Sequence, residues 1–197
     1  MSKYYWLKWK WVSKGAMALP PKEEELRHEL TSEIEGKNIL PFDFVLKKIT
    51  KDDYSEYLPN EEIIWEDYLA ALGVGFSLIS ERLKAIINAH LTGEEGIEWI
   101  SCKVNAGPES RTYYVLRFTK KLDVLDMEKT LFDDDGPPDD VMRACFSFEK
   151  VKKYAVFTEP RTYDFWKIPR TFYVSAAIKK AAQKEKLIVG FEGSYVV

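Results

Sequence analysis

Cysteine and histidine are scarce in this chain of 197 residues, with two of each. Cys102 and Cys145 lie in apolar surroundings and lack the CxxC spacing of a redox or zinc site. We therefore expect two reduced, buried thiols, as in a cytoplasmic protein, and no disulfide framework. His28 and His90 are too few to build a carboxylate and histidine metal centre, so the sequence predicts no metal and no cofactor.

Long apolar runs are also missing. The longest stretch without a charged residue, Tyr68 to Ser80, has thirteen residues, fewer than the roughly 18 that a membrane-spanning helix needs. The first twelve residues, MSKYYWLKWKWV, carry lysines among their apolar side chains and have no cleavage site of small residues. This pattern is unlike an export signal, and we expect no contact with a membrane.

Catalytic motifs are absent as complete sets. Ser147 and Lys150 match the SxxK of serine acyl-enzymes, but the SDN and KTG motifs that accompany it are missing. Gly73 and Gly75 precede a predicted strand and helix, but Leu78 stands where a dinucleotide-binding fingerprint has its third glycine. The sequence therefore predicts a protein that is not an enzyme.

What the chain does have is charge of both signs in separate blocks. The net charge is only −3, yet Lys22 to Asp67 carries fourteen acids and six bases, a balance of −8. Asp126 to Asp140 carries −6 and Lys150 to Lys186 carries +7. Most charge runs are solvated faces, but such asymmetry can also steer a charged partner.

The second acidic block, Asp126 to Asp140, contains FDDDGPPDD, residues 132–140, which cannot build a core and is predicted to be an exposed, mobile loop. Its aspartates lack the alternating ligand spacing and closing glutamate of a calcium-binding EF-hand. They are the candidate partner-binding residues of this chain: Asp133, Asp134, Asp135, Asp139 and Asp140.

The basic block offers an alternative, because Lys150 to Lys186 could contact the phosphates of a nucleic acid. Aromatic residues interleave with the bases and could stack on nucleotide bases. They are Tyr154, Phe157, Tyr163 and Trp166. An overall pI near 5.6 is unlike a dedicated nucleic-acid binder, so we expect this partner less than a protein.

Two similar units organise the chain. Leu72 to Ile100 and Phe172 to Glu192 each have a short apolar strand, a serine, an amphipathic helix and a second strand. Ser80 and Ser175 are predicted to cap the two helices, because a serine hydroxyl accepts from the free amides of a helix start. We expect one domain over residues 1–197, with internal repeat copies at about 72–104 and 168–192.

Other segments have the pattern of strands. Residues 4–12 and 40–49 alternate, and 97–104 with 112–119 form a predicted hairpin across Gly107 and Pro108. Segments 146–157 and 165–168 also resemble strands, whereas Ile63 to Leu72 has helical spacing that Gly73 would end. The predicted class is α+β, a mixed or antiparallel sheet with two similar strand–helix–strand halves.

Four blocks in order give the chain a resemblance to a known family. They are GVGFSLISERLKAII, GIEWISCKV, TYYVLRFTKKLDVLDMEKTLFD and KIPRTFYVSAAIKKAAQKEKLIVGFE. Together they resemble the type-eleven-like family of bacterial immunity proteins, which are encoded beside polymorphic or contact-delivered toxins. The resemblance covers roughly Tyr68 to Glu192. The matching residues are Ile79, Ser80, Glu81 and Leu83, then Val124, Leu125, Asp126, Met127 and Glu128, then Phe172, Val174, Ser175, Ile178, Val189 and Phe191.

The resemblance implies a cytoplasmic antitoxin whose partner is the toxin domain encoded with it, and it brings no catalytic residues. The chain departs from the family pattern at Ala176, where an acid usually follows the second serine, and at Thr130, where serine is common. Asp133 to Asp140 looks like a local elaboration. These departures leave the identity of the toxin open.

Overall fold

The structure, a computed structural model, describes residues 4–10, 16–21, 34, 36–48, 56–57, 64–133, 135, 140–161, 164, 166–194 and 196–197. Most elements in these ranges are strands, interrupted by a few helices, which confirms the predicted α+β class. The strands are β1 (Tyr4–Lys8), β2 (Ala16–Leu19), β3 (Phe44–Lys48), β4 (Glu56–Tyr57), β5 (Tyr68–Ala70), β6 (Ser77–Ser80), β7 (Ile97–Ala106), β8 (Glu109–Phe118), β9 (Leu131–Phe132), β10 (Val141–Arg143), β11 (Val156–Phe157), β12 (Tyr173–Ser175) and β13 (Gly190–Ser194). The helices are α1 (Glu81–His90), α2 (Phe148–Val151) and α3 (Ala176–Lys184).

The larger sheet has seven strands and closes on itself. Its order is β2-β3-β7-β8-β6-β5, with β4 on the side of β3, and β3 runs parallel to β7. A parallel bridge joins Ala18 on β2 to Ala71 next to β5, and the Leu72 N–H donates to the Ala18 carbonyl at 2.9 Å. The two outer strands therefore meet, which removes the open edges that could pair with other chains.

Alternate residues of these strands fill the space inside the closed sheet, because successive side chains of a strand point to opposite faces. Phe44 and Leu46 of β3, and Leu78 of β6, are among them, and each is fully buried. The predicted β7–β8 hairpin is confirmed, and Gly107 at its turn has φ +58°, which favours glycine. The interior is lined by Ala18, Leu69, Phe76, Ile100, Cys102, Val104, Tyr113 and Val115.

The smaller sheet has four strands in the order β11-β12-β1-β13, and all its pairs are antiparallel. A second core joins it to the outer face of the larger sheet through the two long helices. Leu83 and Ile87 of α1 and Ile178 and Ala182 of α3 are fully buried there. Each helix thus buries one stripe of apolar side chains, as amphipathic helices do.

Ser80 and Ser175 start these helices with nearly the same geometry. Their backbone angles are φ −66°, ψ 160° and φ −66°, ψ 161°. The Leu83 N–H donates to the Ser80 hydroxyl at 3.2 Å, and the Ile178 N–H donates to the Ser175 hydroxyl at 3.5 Å. Both predicted caps are confirmed. The two units enter different sheets, and their origin as an internal repeat stays a prediction.

Two buried carboxylates connect the unit around α1 to the rest of the chain. Asp67 accepts from the Ser80 hydroxyl at 2.6 Å and from the Ile188 N–H at 2.8 Å. Glu95, which is 1% exposed, accepts from the Ala155 N–H at 2.7 Å and from backbone N–H groups of its own turn. These hydrogen bonds offset the free-energy cost of removing a carboxylate from water.

Some sequence predictions are wrong. In place of the predicted helix over Ile63 to Leu72, the described residues contain strand β5, because adjacent Tyr68 and Leu69 bury their side chains in different cores. Segment 146–157 contains the four-residue helix α2 and only two strand residues, those of β11, and 166–167 is a turn. The acidic segment before Glu35, apart from Ile34, lies outside the described residues.

Every helix in the described ranges is too short or too polar to span a bilayer.

Candidate partner interface

Two short strands on either side of the acidic segment pair with each other as a small hairpin. Strands β9 and β10 pair antiparallel, with Val141 opposite Phe132 and Arg143 opposite Leu131. The Asp133 N–H donates to the Asp140 carbonyl at 2.8 Å, which continues the pairing beyond the strands. The sequence predicted an exposed loop here, and the structure shows that its flanks are ordered strands.

Three of the five candidate aspartates can be placed. Asp135 is exposed at the tip, and its N–H donates to the Asp133 carboxylate at 3.1 Å. Asp133 and Asp140 are half-buried and face each other at the base of the tip. Asp134 and Asp139 lie outside the described residues. The hairpin therefore brings Asp133, Asp135 and Asp140 to one end.

A groove of about 290 Å³ lies beside the hairpin, and most of its wall is apolar. Phe132 and Val141, which oppose each other across the hairpin, form one side. Residues 121–127, which follow β8, and Pro160, which precedes β12, complete the wall of the groove. The lining residues are Lys121, Leu122, Asp123, Val124, Leu125, Met127, Phe132, Val141 and Pro160.

Large apolar side chains are exposed around this groove. Met127 on its wall is 57% exposed, Leu131 on β9 is 54% exposed, and Met142 on β10 is 72% exposed. The strand pairing is irregular between Val141 and Arg143, so Met142 lies at a bulge. Exposed apolar side chains that cluster in this way are typical of protein interaction surfaces. We call the groove, these three residues and the hairpin tip the hairpin surface.

Glu159 brings a further carboxylate close to the hairpin surface. Burial raises the pKa of Glu159, Arg161 opposes this rise from 3.6 Å, and the negative charge of Asp140 adds to it. Glu159 precedes Pro160 on the groove wall, and Arg161 pairs with its carboxylate there.

The acidic residues near the hairpin surface differ in whether a lysine or arginine forms an ion pair with them. Lys150 pairs with Asp123 at 2.8 Å, and Lys129 pairs with Asp126 at 2.9 Å. The Lys129 pairing lowers the pKa of Asp126. Within the described ranges, no lysine or arginine forms an ion pair with Asp133 or Asp135. The negative charges of Asp133 and Asp135 are therefore not compensated by a described base.

The positive charge of the basic segment Lys150 to Lys186 is compensated in part, since four of its ten lysines and arginines pair with carboxylates. Lys150, Lys167 and Arg161 pair with carboxylates, and Lys152 pairs with Glu149. Lys179 lies over the Tyr5 ring at 3.7 Å. These partners reduce the positive field that a phosphate backbone would meet.

The predicted stacking role of the aromatics in this segment is wrong for two of them. Tyr154 is 6% exposed and Phe157 is fully buried, so neither can present a ring face to a nucleotide base. Trp166 is half-buried beside Lys167, and Tyr163 lies outside the described residues. The aromatic spacing that suggested a nucleic-acid surface reflects core packing.

Groups of possible chemical interest elsewhere have structural roles. Cys102 is buried, and burial raises the pKa of its thiol to about 12, so little reactive thiolate forms. Cys145 is half-buried, and both thiols are free, as predicted. His90 lies 2.8 Å from the Ile86 carbonyl of its own helix, through ring Nδ1. A second groove, between α1 and α3, is crossed by Arg82, which donates to the Glu185 carbonyl at 2.8 Å.

Sequence reasoning found the aspartates but missed the apolar part of the hairpin surface. Met127, Leu131 and Met142 lie on both sides of the acidic run in the sequence. Their positions could have been used to predict an apolar surface beside the aspartates. Their exposure became visible only once the hairpin had been placed against residues 121–127.

A comparison with protein families gives one result. The family model described as Immunity protein family (Imm11) matches residues 7–192. No curated protein matches the chain.

Proposed function

The chain belongs to the Immunity protein family (Imm11), and from this membership we propose that it neutralises a cognate toxin by stoichiometric binding. The toxin would be a secreted or contact-delivered bacterial protein encoded beside this chain. Neutralisation would take place in the cytoplasm, where such a toxin acts on the producing cell or its siblings. The family match over most of the chain carries this proposal.

The hairpin surface supports binding as the mechanism. Stable protein interfaces combine an apolar centre with a polar rim, and this surface has exposed Met127 and Met142 next to the charged hairpin tip. An antitoxin with such a surface can cover the active site of its toxin or hold it in an inactive shape. Immunity protein families are in general non-enzymatic, which agrees with this mechanism.

Coexpression tests the proposal. The toxin domain encoded beside this chain is expressed in a bacterial host alone and together with the chain, and growth is followed. Only the coexpressing cells should grow normally. Light scattering of the purified mixture should then show one complex of fixed stoichiometry. Loss of growth despite coexpression would refute the proposal, and so would full inactivation of the toxin by far less than one equivalent of the chain, because that indicates turnover.

Nucleic-acid binding is the alternative, since Lys150 to Lys186 carries a balance of +7. Four of its ten lysines and arginines pair with carboxylates, and Tyr154 and Phe157 are buried, so the structure favours this alternative less than the sequence did. A gel shift with duplex and single-stranded DNA and with RNA, at low and at physiological salt, separates the two functions. An immunity protein should shift none of them at physiological salt.

A further inference from the structure

We propose that the hairpin surface is the site where the toxin docks, and that it takes an apolar side chain flanked by lysine or arginine residues. This inference rests on the proposed function and adds the location and the chemistry of the contact. It assigns the central role to the groove, to Met127 on its wall and to Met142 on the adjoining hairpin strand, and a supporting role to the aspartates at the tip.

The size of the groove suits protein side chains. Pockets that bind small molecules occupy about 300–1,000 Å³ and enclose most of the ligand. The groove is at the lower limit of that range and open along the hairpin, with about 290 Å³ between Phe132, Val141 and Pro160. One or two large apolar side chains from another protein would fill it.

The exposed side chains at the groove are suited to an interface. Met127 and Met142 are 57% and 72% exposed, and methionine adapts its shape to a partner because its side chain is unbranched and flexible. Leu131 extends the apolar area along β9. Residues of this kind, at the centre of a contact, contribute most of the binding free energy.

The negative charge of the hairpin surface indicates which kind of partner segment would bind there. Asp126 to Asp140 carries −6, and within the described ranges no base pairs with Asp133 or Asp135. On the other side of the groove, Arg161 already pairs with Glu159 at 3.6 Å. The carboxylates that a cation from a partner could neutralise are therefore those of Asp133 and Asp135. The arrangement therefore favours a toxin segment with positive charge around its apolar side chain.

A second copy of this chain is the competing occupant, and it fits less well. Self-association in a symmetric dimer would bring two equal patches together, and each carries the acidic hairpin tip. Like charges in contact cost free energy and disfavour such a pairing.

The test uses the double variant Met127→Ser/Met142→Ser. Both side chains are exposed, so the fold should be unaffected, and circular dichroism verifies this. Ile39→Ser is the matched control, because Ile39 is 68% exposed and lies beside β7 on the larger sheet, away from the hairpin in the fold. Binding to the toxin domain is followed by surface plasmon resonance. The double variant should dissociate about tenfold faster or more, and the control should match the wild type.

Three results are distinguishable. If the wild-type chain binds the toxin and the double variant binds it with unchanged kinetics, the hairpin surface is not the docking site although the proposed function stands. If the wild type shows no binding, the proposed function fails and this inference falls with it. If light scattering finds the wild type alone to be a dimer and the double variant a monomer, the occupant is a second copy, and the assignment to a toxin is overturned.

Discussion

Asp67 and Ile188 exchange two hydrogen bonds across 121 residues of sequence. The Asp67 N–H donates to the Ile188 carbonyl at 3.0 Å, and the Ile188 N–H donates to the Asp67 carboxylate at 2.8 Å. The same carboxylate accepts from the Ser80 hydroxyl at 2.6 Å and has Arg82 at 3.7 Å. One buried side chain therefore joins the start of α1 to the segment that leads into β13.

Replacing Asp67 with alanine should destabilise the protein by about 3 kcal/mol. The change leaves the Ile188 N–H and the Ser80 hydroxyl without an acceptor in a site where Asp67 is only 4% exposed. Urea denaturation should show a lower midpoint with an unchanged slope. Glu94→Ala, at an exposed position, is the control and should stay within about 0.5 kcal/mol of the wild type. A loss below about 1 kcal/mol for Asp67→Ala would contradict this role.

The two helix caps should differ in their contribution to stability. Ser175→Ala removes a cap bond of 3.5 Å and should cost about 1 kcal/mol. Ser80→Ala removes a cap bond and a bond to Asp67, so it should cost about 2 kcal/mol. In the Asp67→Ala background the cost of Ser80→Ala should shrink, which a double-mutant cycle measures. Equal costs in both backgrounds would show that Ser80 and Asp67 are not coupled.

Both caps could be predicted from the sequence, because their signals are local. A serine ahead of an amphipathic stretch specifies a helix start without reference to the rest of the chain. The hairpin of β7 and β8 was predictable for the same reason, from two alternating runs around Gly107 and Pro108.

Strand β5 could not be predicted in this way. Tyr68 and Leu69 are consecutive and both buried, since one packs in the core between the sheets and the other inside the closed sheet. A strand buried on both faces loses its alternation, and the apolar residues around it happened to match helical spacing. Asp67 and Glu95 were missed because acceptors for distant backbone N–H groups have no sequence pattern.

The candidate site was predictable only in part. The run of aspartates predicted an exposed segment, and Asp133, Asp135 and Asp140 do come together. The groove combines residues 121–127 with the hairpin and Pro160, three segments whose contact depends on tertiary packing. No local sequence pattern predicts a groove whose wall is built from three separate segments.

Stability should depend on pH through Glu159. Burial raises the pKa of Glu159, so the folded chain holds this proton more tightly than the unfolded chain does. The free energy of unfolding should therefore fall as pH rises past the ordinary glutamate pKa, and the loss should be complete above the raised pKa. Glu159→Gln cannot ionise, so it should match the wild type at low pH and become the more stable protein as pH rises.

Urea unfolding between pH 4 and 8 measures the Glu159 effect, with Glu94→Gln as an exposed control that should follow the wild type. A variant that loses stability relative to the wild type as pH rises would show that the Arg161 contact outweighs burial.

The aspartates of the hairpin tip should govern how fast the complex forms. Changing Asp133, Asp134, Asp135, Asp139 and Asp140 to asparagine removes five negative charges. We expect about tenfold slower association with a basic toxin at low salt, a flatter dependence of the rate on salt, and little change in dissociation. Stopped-flow mixing over a range of ionic strength measures this. Neutralising exposed Glu94 and Glu185 is the control, and unchanged association of the fivefold variant would remove the tip from the mechanism.

The position of β1 between β12 and β13 determines when the smaller sheet can form during protein synthesis. Tyr4 is paired with Ser175 and Ser194, so the first strand emerges from the ribosome long before its neighbours exist. At about 5–20 residues per second, the nascent chain waits roughly 10 to 40 seconds for them. Translation that stops short of β13 leaves β1 with a bare edge, which proteases and chaperones recognise. A cell therefore holds no working copy until β13 has been synthesised.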